Sequence, residues 1–310
     1  MTSVPVTENS APAPSRPASA RDGRDARVVL PTRHPARWAM AGVILLLVAG
    51  AIFQIVGNER FQWDVVGDYL FAQPILQGVA KTLMLTAAAM AIGVGLGIVI
   101  AVLRLSPNPI LSSAAWTYSW FFRGTPLLVQ LLFWYFLAAL YPTIGVGGVS
   151  WSANELISPL TAALLGLGLN EAAYMSEIVR SGILSVPPGQ AEAASAVGMR
   201  RSQVMRRVVL PQAMRVIIPP TGNETIGMLK HTALVLVIGY TELMTTASNI
   251  YSRTYQTIPL LLVAAAWYLA ISAVLSVGQY FIERHFGRGF SNHRVSRKGS
   301  RAARKGEAVA

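Results

Sequence analysis

The chain has 310 residues, of which 53% are hydrophobic and only 13% charged, with a mean hydropathy of +0.46. That balance excludes an ordinary soluble domain and points to a protein threaded through a bilayer. The net charge of +12 would suit nucleic acid in a soluble protein, but here its distribution is a topology signal, and no cysteine is present for a disulfide or a thiolate metal site.

Residues 1–36 are rich in Pro, Ala, Ser and Arg without apolar periodicity, and are expected to form a disordered cytoplasmic tail. The first apolar run begins at Trp38, so 37–57 is expected to be a transmembrane helix. Val43 to Val56 ends in Gly57-Asn58-Glu59 rather than at a small-residue cleavage site, so the helix should be retained. Residues 58–77, with Trp63, Asp64 and Asp68, are expected as an external loop. Lys81 then marks the interface and Thr82 to Leu103 crosses inward, with Gly93, Gly95 and Gly97 allowing a neighbouring helix to come close. After an inside turn at Ser106 to Pro109, Phe122-Arg123-Gly124-Thr125-Pro126 precedes the apolar run Leu127 to Leu140, which places Arg123 at its cytoplasmic end. Tyr141 to Ile157 reads as an outside loop or interfacial segment.

Leu160 to Ile183 should cross inward although it carries Asn170, Glu171, Glu177 and Arg180. Ionisable groups at membrane depth are costly and normally face a bundle interior or a wet cavity. Glu177 and Arg180, three residues apart, form a candidate structural pair on one helix face. Asn170, Glu171 and Tyr174 form a polar stripe and are candidates for touching a polar solute. Met214 to about Ile238 crosses outward past Pro219-Pro220, a pair expected to break the helix. Its polar residues Asn223, Glu224, Lys230 and Thr232 extend the candidate substrate pathway. His231 has no second ligand at metal spacing, so no metal site is expected. Gly239 to Gln256 is expected at the outer surface, Ile258 to Ile282 returns, and 285–310 forms a basic cytoplasmic tail.

Charge orients these spans. Residues 1–37, 104–123, 180–215 and 284–310 hold 22 Lys/Arg against 5 Asp/Glu, whereas 58–80, 141–157 and 236–257 hold 2 against 5. The basic side should be cytoplasmic, giving six crossings with both termini inside.

Between two long apolar runs lies a short island. Pro187-Pro188-Gly189 ends one helix, and Gly189 to Val197 can form another that stops at Gly198. A second short helix is expected from Arg201 to Leu210, ended or kinked by Pro211. Ala193, Ala194, Ala196 and Gly198 offer a smooth face suited to a groove on a partner. The island reads Glu192-Ala193-Ala194, three residues, Gly198, nine residues, Val208, one residue, Leu210-Pro211. This pattern resembles the cytoplasmic EAA loop of ATP-binding-cassette importer permeases. Phe122 to Pro126, Ala173-Tyr174 with Glu177 and Arg180, Gly189-Gln190, Leu210-Pro211-Gln212-Ala213, Pro219, Asn223 and Leu229-Lys230 with Thr232 extend the likeness over about 78–284. They are similar to the polar amino-acid branch, the histidine/glutamate/glutamine/arginine/opine group.

The resemblance implies an all-α integral membrane fold of the type-1 importer kind, a five-helix core over 78–284 with one extra N-terminal helix, in a bacterial inner membrane. It implies a second permease chain, an ATP-binding subunit that carries ATP and Mg, and an extracytoplasmic solute-binding protein, with no cofactor and no nucleic acid on this chain. The loop at 187–211 would couple to the ATPase through Gly189, Gln190, Glu192, Ala193, Ala194, Gly198, Leu210 and Pro211. No G-x-x-x-x-G-K-S/T phosphate loop occurs, so ATP hydrolysis and any enzyme chemistry belong to the partner. Glu171 stands where a small or hydroxyl residue is expected, and its carboxylate would favour a cationic amino acid if it faces the pathway. An ion-coupled secondary transporter using Glu171, Glu177 and Glu224, and a permease for an opine or other small polar solute, are the alternatives.

Overall fold

The computed structural model describes residues 35–146 and 149–286. The tail expected over 1–36, apart from Pro35 and Ala36, and residues 287–310 of the basic tail lie outside them. The chain divides into two units, 1–58 and 59–310. In the first, helix α1 (Pro35–Gly57) carries a strongly apolar span over Ala39–Gly57, none of which is buried within the unit.

The second unit opens with a 3₁₀ turn (Glu59–Phe61) and α2 (Trp63–Leu70), so part of the segment expected as a loop is helical. Val65, Val66, Tyr69 and Leu70 give α2 an apolar face that packs on the bundle, while Asp64 and Asp68 stay exposed. Helix α3 (Gln73–Arg104) begins nine residues before the expected Thr82, because Gln73-Pro74 is a good helix start. Then come α4 (Pro109–Gly124), α5 (Leu127–Tyr135) and the one-turn α6 (Leu137–Leu140). A two-stranded hairpin follows, β1 (Thr143–Val146) with β2 (Val149–Ser152), antiparallel with Thr143 opposite Ser152. Short α7 (Ala153–Leu156) leads to α8 (Pro159–Leu184), which starts where the Ser158 hydroxyl caps Thr161 N.

The island forms α9 (Pro188–Ala196) and α10 (Arg201–Val204), a π-helical turn (Met205–Val209), and α11 (Leu210–His231). Of the two outcomes expected at Pro211, an end or a kink, the helix does not end there. Leu210 N reaches back five residues to Met205 O, and this wide turn lets Pro211 occupy the first turn of α11, where its missing N–H costs nothing. Pro219 and Pro220 do not break α11 either. The break comes later, in a 3₁₀ stretch (Thr232–Ile238) that ends at Gly239 with φ +73°. There the element bends by 46° into α12 (Leu243–Thr254), so the segment expected at the outer surface continues the preceding one. Helix α13 (Thr257–Phe286) completes the unit.

Three apolar clusters lie along α3. Ile75 and Val79 pack with Leu243, Leu260 and Val263 at the end of α2 and α12. Leu85, Ala89 and Met90 pack centrally with Leu131, Leu167, Met228 and Val235. Ala101 packs with Met175, Val179, Ala213 and Ile217 at the end facing the island. Glycines set the α3–α8 spacing: a Cβ on Gly93 would lie 2.6 Å from Glu171 Cβ, and one on Gly97 2.6 Å from Met175 Cβ. Gly95 faces open space.

By length and composition, among the described residues, α1, α3 and α13 each suffice to cross a membrane, and the bent α11–α12 pair makes a fourth where it is taken as one broken span. Helix α8 is long enough at 26 residues but carries Glu171, Glu177 and Arg180, and the α4–α5 run is interrupted at Thr125-Pro126.

Candidate functional site

The interruption between α4 and α5 lies beside the middle of α8. Tyr118 donates its hydroxyl to Leu169 O at 2.7 Å, and Ser119 and Ser176 share a hydrogen bond of 3.1 Å. At the break, Pro126 stops the helix and leaves the carbonyls of the last α4 turn without helical partners. Two buried amides take them up. Gln130 Nε2 donates to Phe122 O, Thr125 O and Thr125 Oγ1 at 2.9, 3.1 and 2.7 Å, and Asn170 Nδ2 donates to Phe122 O at 2.9 Å and to Gln130 Oε1 at 3.3 Å. Asn170, expected on the pathway, therefore holds the break closed.

This geometry brings Arg123, expected at the cytoplasmic end, beside α8 in a cleft it shares with Arg104 and Glu177. Phe122 meets Asn170, the twelfth residue of α8, with about 21 Å of helix still to run to Leu184 at 1.5 Å per residue. Arg123 lies over the Tyr174 ring, 5.4 Å from its centroid. Glu177 is paired with Arg180, whose Nε is 3.3 Å from Oε2, and lies 3.9 Å from Arg104 at the end of α3. The pairing of Glu177 with Arg180 expected from their spacing is thus present, and Arg104 joins it. Arg104, Arg123, Tyr174, Glu177, Ser119 and the stacked Trp116 and Trp120 surround a polar cleft of about 460 Å³. Two guanidiniums against one carboxylate give it a net positive lining, suited to a carboxylate. A larger cavity of about 960 Å³ between α3, α8, α11 and α13 is almost wholly apolar, lined by Val94, Ile98, Met175 and Ile217 among others.

Neither cavity is lined by Glu171 or Thr232. Glu171 is 2% exposed against Gly93, and its Oε1 has no hydrogen-bond partner. Thr232 is fully buried with its hydroxyl on Leu229 O. Glu224 is half-buried on α11, whereas Asn223 and Lys230 are exposed.

The island has a defined stop. Gly198 at φ +85° donates to Ser195 O at 3.0 Å and Met199 N to Ala194 O at 3.2 Å, the paired bonds of a left-handed helix end that disfavours a side chain. The expected smooth face is divided. Ala194 turns inward onto Val204 and Val209, while Gly189, Gln190, Glu192, Ala193 and Ala196 are exposed and Val197 is 79% exposed. Leu210 and Pro211 are also exposed, at the start of α11.

Residues 93–288 match the family described as binding-protein-dependent transport system inner membrane component. The chain belongs to this family. The permease is 48% identical over 270 residues to the arginine transport system permease protein of Corynebacterium glutamicum, covering 86% of this chain and 85% of that one. It is 41% identical over 202 residues to the nopaline transport system permease protein of Agrobacterium fabrum, covering 65% and 83%. Among solved structures it resembles that of an amino acid ABC transporter with histidines, at 37% identity and a TM-score of 0.61, covering 68% of this chain and 94% of that one. The permease is thus a multi-pass membrane component of an ATP-binding-cassette importer.

Sequence reasoning missed Gln130 and Ser119, gave Arg104 only a topological role, and placed Arg123 in the family-like block Phe122 to Pro126 without naming what it touches. A glutamine four residues after a proline inside an apolar run is the signal that could have found Gln130.

Proposed function

We propose that the permease carries polar amino acids, cationic ones foremost, into a bacterial cell across the inner membrane by alternating access. The observation that carries the reading is the likeness to the arginine permease over most of both chains. The cleft adds chemistry to it: Arg123 and Arg104 can receive the α-carboxylate beside aromatic walls. In this reading the bent α11–α12 element, α4–α5 and α8 join α1, α3 and α13 to make six crossings with both termini cytoplasmic. The core runs over 78–284, α1 is an addition to it, and 58–77 lies outside. A second permease chain completes the pathway, an extracytoplasmic binding protein delivers the solute, and a separate ATPase binds ATP and Mg beneath the loop at 187–211. That loop presents Gly189, Gln190, Glu192, Ala193, Val197 and Gly198 to the ATPase, with Ala194 supporting them from behind and Leu210-Pro211 passing the motion to α11.

Reconstitution with the cognate ATPase and binding protein tests this. Vanadate-sensitive, ATP-dependent uptake of radiolabelled arginine or lysine is expected, and Glu171→Gln should reduce it. Proton-driven, vanadate-insensitive uptake would replace the reading with that of a secondary transporter. Gly198→Asp should separate ATP hydrolysis from uptake or prevent docking, since the left-handed backbone there strains any side chain; normal uptake by that variant would remove the loop from the mechanism.

A further inference from the structure

A second buried carboxylate lies at the opposite end of the bundle from the island, and the reading above leaves it unused. Glu242 has no exposed surface. It stands at the 46° break between the 3₁₀ stretch and α12 and caps α12, accepting at Oε1 from Thr245 N at 2.8 Å and from the Thr245 hydroxyl at 3.2 Å. At Oε2 it accepts from the Thr82 hydroxyl of α3 at 3.0 Å and from the Tyr268 hydroxyl of α13 at 2.7 Å. Among the described residues no cation pairs with it. Four donors from three helices satisfy it instead, with the N-terminal end of α12 adding favourable dipoles.

The junction is tight on the α3 side. Thr82 Oγ1 also accepts from Leu243 N at 3.2 Å, and one turn earlier a Cβ on Gly78 would lie 2.9 Å from Leu243 Cα. Helix α11 is anchored elsewhere: a Cβ on Gly182 of α8 would lie 3.0 Å from Ile217 Cδ1 and 3.4 Å from Ala213 O. Between these two anchorages the chain abandons α-helical pairing, through the 3₁₀ stretch Thr232–Ile238, left-handed Gly239, and Tyr240 and Thr241. Seven residues (Thr232–Ile238) change length by about 3.5 Å between 3₁₀ and α-helical rise.

We propose that Glu242, with Thr82 and Tyr268, is a positioning set for transport. It holds α12 fixed to α3 and α13, so that displacement delivered to α11 from the coupling loop is absorbed by Thr232–Thr241 and reshapes the pathway there. The proposal rests on the importer reading. Its structural half, a fixed α12 beside a moving α11, is read without any uptake measurement.

The chain has no cysteine, so paired cysteines for spin labels can be introduced into it without removing thiols of its own, and the labelled chain assembled into the full complex in nanodiscs. Exposed Gln77 with Ser252 reports α3 against α12, and exposed Val102 with Arg215 reports α3 against α11. Between the nucleotide-free and the ATP-vanadate states, the second distance should change and the first should not. In Glu242→Gln or the milder Tyr268→Phe, the first distance should broaden, and solute moved per ATP hydrolysed should fall roughly 5-fold, the low end of typical coupling energies. Glu242→Asp, which keeps the charge and can still cap α12, should recover part of that ratio. A merely structural role would lower the yield of folded complex and leave the ratio unchanged, which would overturn the proposal. So would a wild-type α3–α12 distance that changes as much as α3–α11. Absence of ATP-driven uptake by the wild type would count against the importer reading and not against the label distances.

Discussion

Glu171 and Glu242 are both buried, at 2% and 0% exposure, yet their surroundings differ. Glu242 receives four hydrogen bonds and sits at a helix start. Glu171 sits mid-helix in α8, pressed against Gly93, with Oε1 unpartnered. A buried acid with a full set of donors holds its neighbours in place, whereas one without them costs free energy that the fold offsets elsewhere. The first belongs to the scaffold. The second is where a change of conformation, or an incoming cation, has most to gain.

The comparison breaks most readily at Glu242. Glu242→Leu strands the Tyr268 and Thr82 hydroxyls and Thr245 N in a dry interior, and should cost on the order of 3 kcal/mol or more. A fall in the thermal midpoint of the detergent-purified complex measures it, and an unchanged midpoint would mean that the four bonds contribute little. Gly93→Ala comes next. Its new Cβ would meet the Glu171 side chain where α3 and α8 are closest, so overpacking should cost about 1–3 kcal/mol. Adding Glu171→Ala should return part of that, a coupling a double-mutant cycle reads directly. If the two changes simply add, Glu171 is not what Gly93 is small for.

Much of this was legible in the sequence. The apolar runs, the small residues at Gly93 and Gly97, the pairing of Glu177 with Arg180 and the stop at Gly198 each follow from local chemistry that acts within a few residues. What escaped depends on partners far along the chain. Glu242 fell within a segment expected as an outer-surface helix; its cap on Thr245 is local, but its other two donors are 160 and 26 residues away, and nothing near it in sequence announces Thr82 or Tyr268. The positive-inside argument assigns Arg123 a side of the membrane and is silent on its neighbours. Only the meeting of Phe122 with Asn170 puts it beside mid-α8. Pro219 and Pro220 looked like breakers, yet α11 runs through them, with Thr221 bonding to Ile217 O at 2.8 Å and Gln279 of α13 donating to Pro219 O at 2.6 Å. The extra bonds come from one helical turn and from a different helix, and pattern reading sees only the first.

The smallest expected effect has the opposite sign. Glu171→Met keeps roughly the volume and unbranched shape of the side chain and removes a carboxyl whose Oε1 has no partner, so the folded complex should be unchanged or stabilised, by about 1 kcal/mol. Glu242→Leu makes the same kind of exchange at the satisfied site, which makes the pair a controlled contrast: one buried acid lost with its donors left behind, one lost with none. Thermal midpoints of the two variants, measured side by side, should move in different directions or by clearly different amounts. Uptake adds the functional arm, because a Glu171→Met complex that is as stable as wild type and yet carries less arginine would separate the cost of that carboxylate from its use. If Glu171→Met were instead as destabilising as Glu242→Leu, Glu171 would have to be held by interactions equal to those of Glu242, and the distinction between a satisfied and an unsatisfied buried acid would fall.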